Sequence, residues 1–174
     1  GNVVIADIAG EPLERAKKEL GKGVETFVCD VTKEEDCTAL AEFAIEKFGK
    51  INMVAPFAGI ISDGLMLSTD RETGKVSKKM SLEQFQKVVD INLTGVFLTV
   101  RECTEQMVNH NCIGLVCLIS STGSLGTAGQ INYASTKAAM SVMPKVITAE
   151  FFRRNLSHKI RCVAIAPGYV GTDM

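Results

Sequence analysis

Five short, β-branched apolar runs alternate along this chain with longer amphipathic stretches. That rhythm constrains the fold more than any single motif. "NVVIAD" (2–7) reads as a buried strand, and "EPLERAKKEL" (11–20) as a helix with Leu13, Ala16 and Leu20 on one face and Gly21 past its end. "VETFVCD" (24–30) is a second strand. "KEEDCTALAEFAIEKFG" (33–49) is a helix with Leu40, Phe43, Ala44 and Phe48 inward, stopped by Gly49. "INMVAPFAG" (51–59) reads as a third strand and "IGLVCLIS" (113–120) as a fourth. "HKIRCVAIAPG" (158–168) is a fifth. Between them lie two long helices. The first, 81–108, opens on Ser81 with Gln84 three residues on, a capping-box pattern. The second spans 132–152.

Near-continuous apolar strands separated by helices imply an α/β fold, a doubly wound, Rossmann-like parallel sheet covered on both faces. Such sheets bind ligands outside the carboxyl ends of their strands. The informative residues should therefore follow the strands. Asp7, Asp30, Ala58-Gly59, Ser120 and Pro167-Gly168 all do. One stretch breaks the rhythm. Residues 62–80 are polar and long for a connection, and "LMLSTDRETGKVSKK" suits a small hairpin turning at "ETGK". This hairpin-like insertion is read either as a lid or partner contact over the strand ends, or as a solvated loop.

Composition removes several classes of function. A chain of 174 residues, 46% hydrophobic and 22% charged, suits a single globular domain with a real core. Nineteen basic residues offset twenty acidic ones with no basic block, so no nucleic-acid partner is expected. No apolar run is long enough for a membrane span, and the opening residues lack the pattern of a signal peptide. None of the six cysteines forms Cys-x-x-Cys, so all six read as reduced thiols and the chain as cytoplasmic. His110 and Cys112 are too few for a metal site, and none is expected. "NLT" at Asn92 and "NLS" at Asn155 match the glycosylation pattern by chance in such a chain.

Chemistry gathers around "GQINYASTKAAM". Tyr133 and Lys137 are four apart, so on a helix they share a face. The phenol of a free tyrosine titrates at about 10, too high for a base at neutral pH, and a nearby ammonium stabilises the phenolate. Taken alone the pair also fits an ordinary surface helix. Ser120 at a strand end, Asn92 inside an otherwise apolar helix, and Pro167-Gly168 closing a strand converge with it. A mid-helix asparagine is mildly unfavourable by propensity, and a buried amide needs partners.

With these pieces together, the chain resembles the short-chain dehydrogenase/reductase family. The matching residues are Ser120, Tyr133-x-x-x-Lys137, Asn92 in "DINLTGVF", Pro167-Gly168, and Ala58-Gly59 in the family's Asn-Asn-Ala-Gly slot. Asp7 and Asp30-Val31 match its cofactor positions. The resemblance covers essentially the whole chain and is nearest to 3-oxoacyl-carrier-protein reductases and 3-hydroxyacyl or hydroxysteroid dehydrogenases. It implies hydride transfer between a nicotinamide cofactor and a secondary alcohol or its ketone. Tyr133 is then the general acid or base, Lys137 lowers its pKa and holds ribose hydroxyls, and Ser120 binds the substrate oxygen. Asn92 interrupts its helix and holds a water of the proton relay. The resemblance places cofactor contacts at Asp7, Ile8, Asp30, Val31, Phe57, Ala58, Gly59, Tyr133, Lys137, Pro167, Gly168, Val170 and Thr172. It also implies a homodimer or homotetramer formed through the two long helices.

Cofactor choice turns on Asp7. A carboxylate there accepts hydrogen bonds from the adenosine ribose and repels a 2′-phosphate, and "IAGEP" supplies no arginine, so NAD is expected over NADP. The competing reading makes Asp7 a helix N-cap. Three departures from the family stand out. No Thr-Gly-x-x-x-Gly-x-Gly phosphate loop precedes Asp7, and Gly123, Gly126 and Gly129 imitate it only superficially. The family's first strand, which would lie between "NVVIAD" and "INMVAP", is not in the sequence, so a gap in the sheet is expected and the chain reads as an internal fragment of a longer enzyme. Finally, the Asn-Asn slot holds Pro56-Phe57. Phe57 and the missing loop are what a non-catalytic binding or scaffold protein on the same fold would show. The intact Ser-Tyr-Lys set favours the enzyme.

Overall fold

A computed structural model of the chain describes residues 1–168. Strand β1 (Val3–Asp7), helix α1 (Gly10–Leu20) and strand β2 (Val24–Val28) make a βαβ unit whose strands pair in parallel, Val3 opposite Val24 through Asp7 opposite Val28. A second parallel sheet has the order β3-β6-β7, from β3 (Met53–Val54), β6 (Gly114–Ile119) and β7 (Ile160–Ile165). Among the described residues β1 and β3 do not pair, so the sheet is in two parts, with the break where the gap was expected.

Two helices join the parts. In α2 (Glu34–Phe48), Leu40 packs with Cys29 and Cys37 under β2, whereas Ala41 faces the core of the larger sheet. In α4 (Val96–Asn109), Leu98 belongs to the first cluster, and Val96, Val100 and Met107 belong to the second. That second core also holds Val116, Leu118, Met140 and Ile160. Each large side chain so buried contributes about 1.5–3 kcal/mol of transfer free energy. Polar bonds reinforce the α2–α4 seam. Thr38 donates to the Glu102 carboxylate at 3.0 Å, and Arg101 pairs with both Glu102 and Glu34.

The helix expected over 81–108 forms as α3 (Leu82–Val89), a π-helical turn (Asp90–Gly95) and α4. Ser81 caps it, accepting from the Gln84 amide at 3.0 Å. Only half of the capping box forms. The Gln84 side chain donates instead to the Ser62 and Asp63 carbonyls, both at 3.1 Å. Helix α5 (Ile131–Arg153) runs through Pro144 without ending there.

Two further readings are corrected. The third strand is much shorter than 51–59, because Pro56 has no N–H to donate and β3 has a ladder partner on one side only. Leu20 is 63% exposed, so the buried face of α1 is carried by Leu13. Residues 62–80 contain the antiparallel pair β4 (Leu67–Thr69) and β5 (Val76–Lys79). Their turn closes through Asp70, which exchanges backbone bonds with Lys75 and Gly74, and Gly74 takes the left-handed φ of 66° that the turn requires.

Candidate active site

Strand β6 ends at Ile119, and the next residue leaves the sheet beside the start of α5. Ser120 stays zipped to β7 through its amide, which donates to the Ile165 carbonyl at 2.7 Å. Two side-chain bonds then lace this exit to α5. The Ser120 hydroxyl donates to the Lys137 carbonyl at 2.8 Å, and the Lys137 ammonium donates to the Ile119 carbonyl at 2.9 Å. The ammonium lies 5.7 Å from the centroid of the Tyr133 ring. Ser120 and Lys137 are buried and Tyr133 is half-buried. Burial pulls the Lys137 pKa below that of an ordinary lysine, because a desolvated ammonium is costly. The Tyr133 ring edge passes so close to Gly123 that a Cβ there would sit 3.3 Å from it.

Asn92 sits in the π turn with no exposure. Its amide makes a two-pronged bond to one residue of the loop after β3. The side-chain oxygen accepts from the Ile60 amide at 2.8 Å, and the side-chain nitrogen donates to the Ile60 carbonyl at 2.9 Å. The polar residue inside an apolar helix is thus a clamp on a neighbouring loop. Gly95 in the same turn lets α4 approach the β2 exit, since a Cβ there would lie 2.7 Å from Val31 Cγ2.

The same loop is held from α5. Asn132, fully buried, donates to the Ser62 carbonyl at 2.9 Å and accepts from the Tyr133 amide at 2.8 Å. Gln130 donates to the Asp63 carboxylate at 2.9 Å, and the Gly64 amide donates to the Gly129 carbonyl at 2.8 Å. Sequence reasoning does not single out Asn132, Gln130 or the side-chain role of Gln84. A legible signal exists for one of them: Asn132, Thr136 and Met140 recur at helical spacing, and all three are buried.

The residues expected to meet the cofactor lie at the other strand exits. Asp7 is exposed at the end of β1, and its carboxylate accepts from the Ala9 amide at 2.9 Å. That is a local turn, since the N-cap of α1 is Ala9. Ile8 is exposed. Asp30 accepts from the Thr32 hydroxyl at 2.7 Å and the Thr32 amide at 3.0 Å, and these two bonds hold its carboxyl below the usual range. Val31 is half-buried against Gly95. Phe57 is 75% exposed, with Ala58 and Gly59 exposed beside it. The Pro167 carbonyl accepts from the Thr122 amide at 3.1 Å, which ties the β7 exit to the loop after Ser120, and Gly168 follows. Val170 and Thr172 lie outside the described residues.

A profile of the family described as short chain dehydrogenase matches residues 1–174. The chain belongs to that family. Curated relatives agree. The 3-oxoacyl-[acyl-carrier-protein] reductase FabG of Thermotoga maritima is 31% identical over 175 residues, covering 99% of this chain and 65% of that protein. The reductase of the same name from Staphylococcus epidermidis is 29% identical over 155 residues, 88% of this chain and 57% of its own length. The 3-oxoacyl-[acyl-carrier-protein] reductase of Synechocystis sp. is 30% identical over 145 residues, 83% of this chain and 53% of its own. The chain thus spans between about half and two thirds of the length of these relatives. In this short-chain dehydrogenase chain, Ser120, Tyr133 and Lys137 share one corner, Asn92 stands behind the adjoining loop, and the acidic exits of β1 and β2 belong to the separate smaller sheet.

Proposed function

We propose that this short-chain dehydrogenase is an oxidoreductase acting on a secondary alcohol or its ketone with NAD(H), and that residues 1–174 form one domain of it. The observation that supports the reading is a pair of bonds at one strand exit, Ser120 to the Lys137 carbonyl and Lys137 to the Ile119 carbonyl, with the Tyr133 ring centroid 5.7 Å from the ammonium. Two features fit a nicotinamide cofactor. The buried Lys137 ammonium has a single acceptor among the described residues, which leaves N–H groups for a ribose diol. Asp7 keeps one carboxylate oxygen unspent beyond its bond to Ala9. The chemistry supplied by the bound cofactor is hydride transfer at the substrate carbon.

The chain's own groups handle the proton. Tyr133 donates it to the carbonyl oxygen in reduction and accepts it in oxidation. Lys137 stabilises the phenolate across the short gap between them. The Ser120 proton is spent on the Lys137 carbonyl, so Ser120 turns its hydroxyl outward to donate to the developing oxyanion. The Asn92 side chain is committed to Ile60, so a relay water there would bond to the backbone of the π turn, where the helical ladder is interrupted. Asp7 favours NAD, because a 2′-phosphate would meet a carboxylate and the following residues 8–12 supply no arginine to pair with it.

The relatives' names make 3-oxoacyl thioesters the first substrates to try. Exposed Phe97 on α4 and Val142 and Val146 on α5 suit self-association into a homodimer or homotetramer through the long helices. A cytoplasmic site is in keeping with reduced thiols, and among the described residues no helix is long and apolar enough to cross a membrane. The test is NADH oxidation by the full-length gene product with a panel of ketones and 3-oxoacyl thioesters. Turnover lost in Tyr133→Phe with NADH binding retained supports the assignment, and turnover unchanged in that variant overturns it.

A further inference from the structure

Tyr133 and Lys137 are fixed to the fold by different means. Lys137 lies one turn further into α5 and is tied to the β6 exit twice, through its ammonium to Ile119 and through its carbonyl to Ser120. Tyr133 is the third residue of the helix, in the turn where backbone amides have no acceptor within the helix and the winding frays. The residue before the helix does not hold that turn. Gln130 stands at the N-cap but makes no side-chain bond to the helix, and donates to the Asp63 carboxylate instead. The distance between phenol and ammonium therefore depends on the winding of a first turn that lacks a cap from the preceding residue.

Asn132 supplies the hold. Its side-chain oxygen accepts from the Tyr133 amide at 2.8 Å, its side-chain nitrogen donates to the Ser62 carbonyl at 2.9 Å, and it has no exposure. One side chain thus takes up the orphan amide of the tyrosine and fastens it to a loop outside the helix. That loop is itself held. The Ser62 carbonyl also accepts from Gln84 of α3 at 3.1 Å, so both of its lone pairs are used. Asn92 grips Ile60 by its amide and its carbonyl, and the Gly64 amide bonds to the Gly129 carbonyl. Helix α3, the π turn and the start of α5 therefore meet on residues 60–64, and the Ser62 carbonyl is the point where the tyrosine is referred to the other two.

We propose that Asn132 is a positioning residue for Tyr133: by spanning the Tyr133 amide and the Ser62 carbonyl it sets the distance from the phenol to the Lys137 ammonium. This role rests on the reading of Tyr133 as the proton-transfer group. Asn132 acts through the backbone of its neighbour and needs no contact with substrate or cofactor. A leucine in its place makes neither bond. In Asn132→Leu the first turn of α5 loosens, the Ser62 carbonyl loses one of its two donors, and the Tyr133 ring moves off the ammonium. Catalysis is sensitive to such misplacement, an ångström costing on the order of a hundredfold.

The test compares Asn132→Leu with Thr136→Val in the full-length protein. Thr136 is nearly as buried, one turn further along α5, and its hydroxyl donates to the Tyr133 carbonyl within the helix, so its loss reports the cost of a missing buried bond without the link to the loop. Phenol absorbance is followed through an alkaline titration without cofactor, and the difference from Tyr133→Phe isolates the Tyr133 signal. Its midpoint is expected to rise in Asn132→Leu, because the phenol leaves the cation, and to stay in place in Thr136→Val. Turnover with NADH is expected to fall by about ten- to a hundredfold in Asn132→Leu, with the NADH dissociation constant within about twofold of wild type. Asn132→Ser, whose hydroxyl is too short to reach Ser62, carries the same expectation if the leucine variant does not fold. A midpoint that stays at the wild-type pH in the Asn132 variant, or that moves as far in Thr136→Val, overturns this role. Full turnover in Tyr133→Phe overturns the dehydrogenase mechanism separately, while the titration still decides whether Asn132 places the phenol.

Discussion

The corner at the β6 exit and the corner at the β1–β2 exits are built differently. At the first, polar groups reach across the fold: Ser120 to Lys137, Lys137 to Ile119, Asn92 to Ile60, Asn132 to Ser62. At the second, the Asp7 and Asp30 carboxylates serve their own turns, Asp7 to Ala9 and Asp30 to Thr32, and Asp36 reaches back from α2 only to the Asp30 amide. Long-range bonds between buried groups hold a site rigid before any ligand arrives, since each would leave an unpaired group behind if it broke. Bonds two residues long hold nothing beyond their own turn. The corner proposed for proton transfer is therefore preorganised, and the corner proposed for the nucleotide is held only by its own turns.

The sharpest way to break that contrast is to remove the buried ammonium. Lys137→Met is expected to lower turnover by on the order of a hundredfold or more while the protein stays folded. A pH experiment on the same variant checks the cause. The folded pKa of Lys137 is depressed, so the stability it allows is fully present above the ordinary lysine value of 10.5 and is lost as pH falls through the lowered one. Urea unfolding should show the variant gaining on the wild type as pH is taken below about 10.5. A gap that does not move with pH would mean the ammonium is not desolvated.

Asn92→Leu tests the long-range clamp. It strips both partners from Ile60 and should cost about 1–3 kcal/mol in urea unfolding. On the nucleotide side, Asp7→Asn should narrow any preference for NADH over NADPH by about tenfold, read from the two dissociation constants. Thr32→Ala should be the mildest, within about 0.5 kcal/mol, since it frees one exposed carboxylate that water can satisfy. If Thr32→Ala costs as much as Asn92→Leu, the two corners are not different in kind.

Element order and type were legible because apolar periodicity reports burial, and burial dominates where helices and strands lie. The length of β3 was not, because an apolar run does not show that Pro56 has no N–H or that one side of the strand lacks a partner. Leu20 has the right spacing for the buried face of α1 but is the last residue of that helix and stands exposed. In the candidate site, the i, i+4 spacing was enough to put Tyr133 and Lys137 on one helix face, and the misplaced polarity of Asn92 marked a buried amide with partners elsewhere. Its partner Ile60 lies thirty-two positions away, and no local pattern encodes such a meeting. Gln84 shows the same limit. Its place after Ser81 announced a cap, yet its side chain bonds to the more distant carbonyls of Ser62 and Asp63.

The widened turn at Asp90–Gly95 amounts to one residue more than regular winding needs. Each residue of an α-helix advances about 100° around the axis. Tightening this turn to regular winding with every residue kept would swing α3 through that angle relative to α4, whereas deleting one residue, such as Thr94, would restore regular winding with the two halves still in phase. In the tightened form the contacts made by α3 would be the ones lost. Gln84 would then point away from the Ser62 carbonyl. The wide turn keeps phase: by absorbing a surplus residue it lets one half of the rod face the loop of Ile60 and Ser62 while the other keeps its apolar stripe against the sheet.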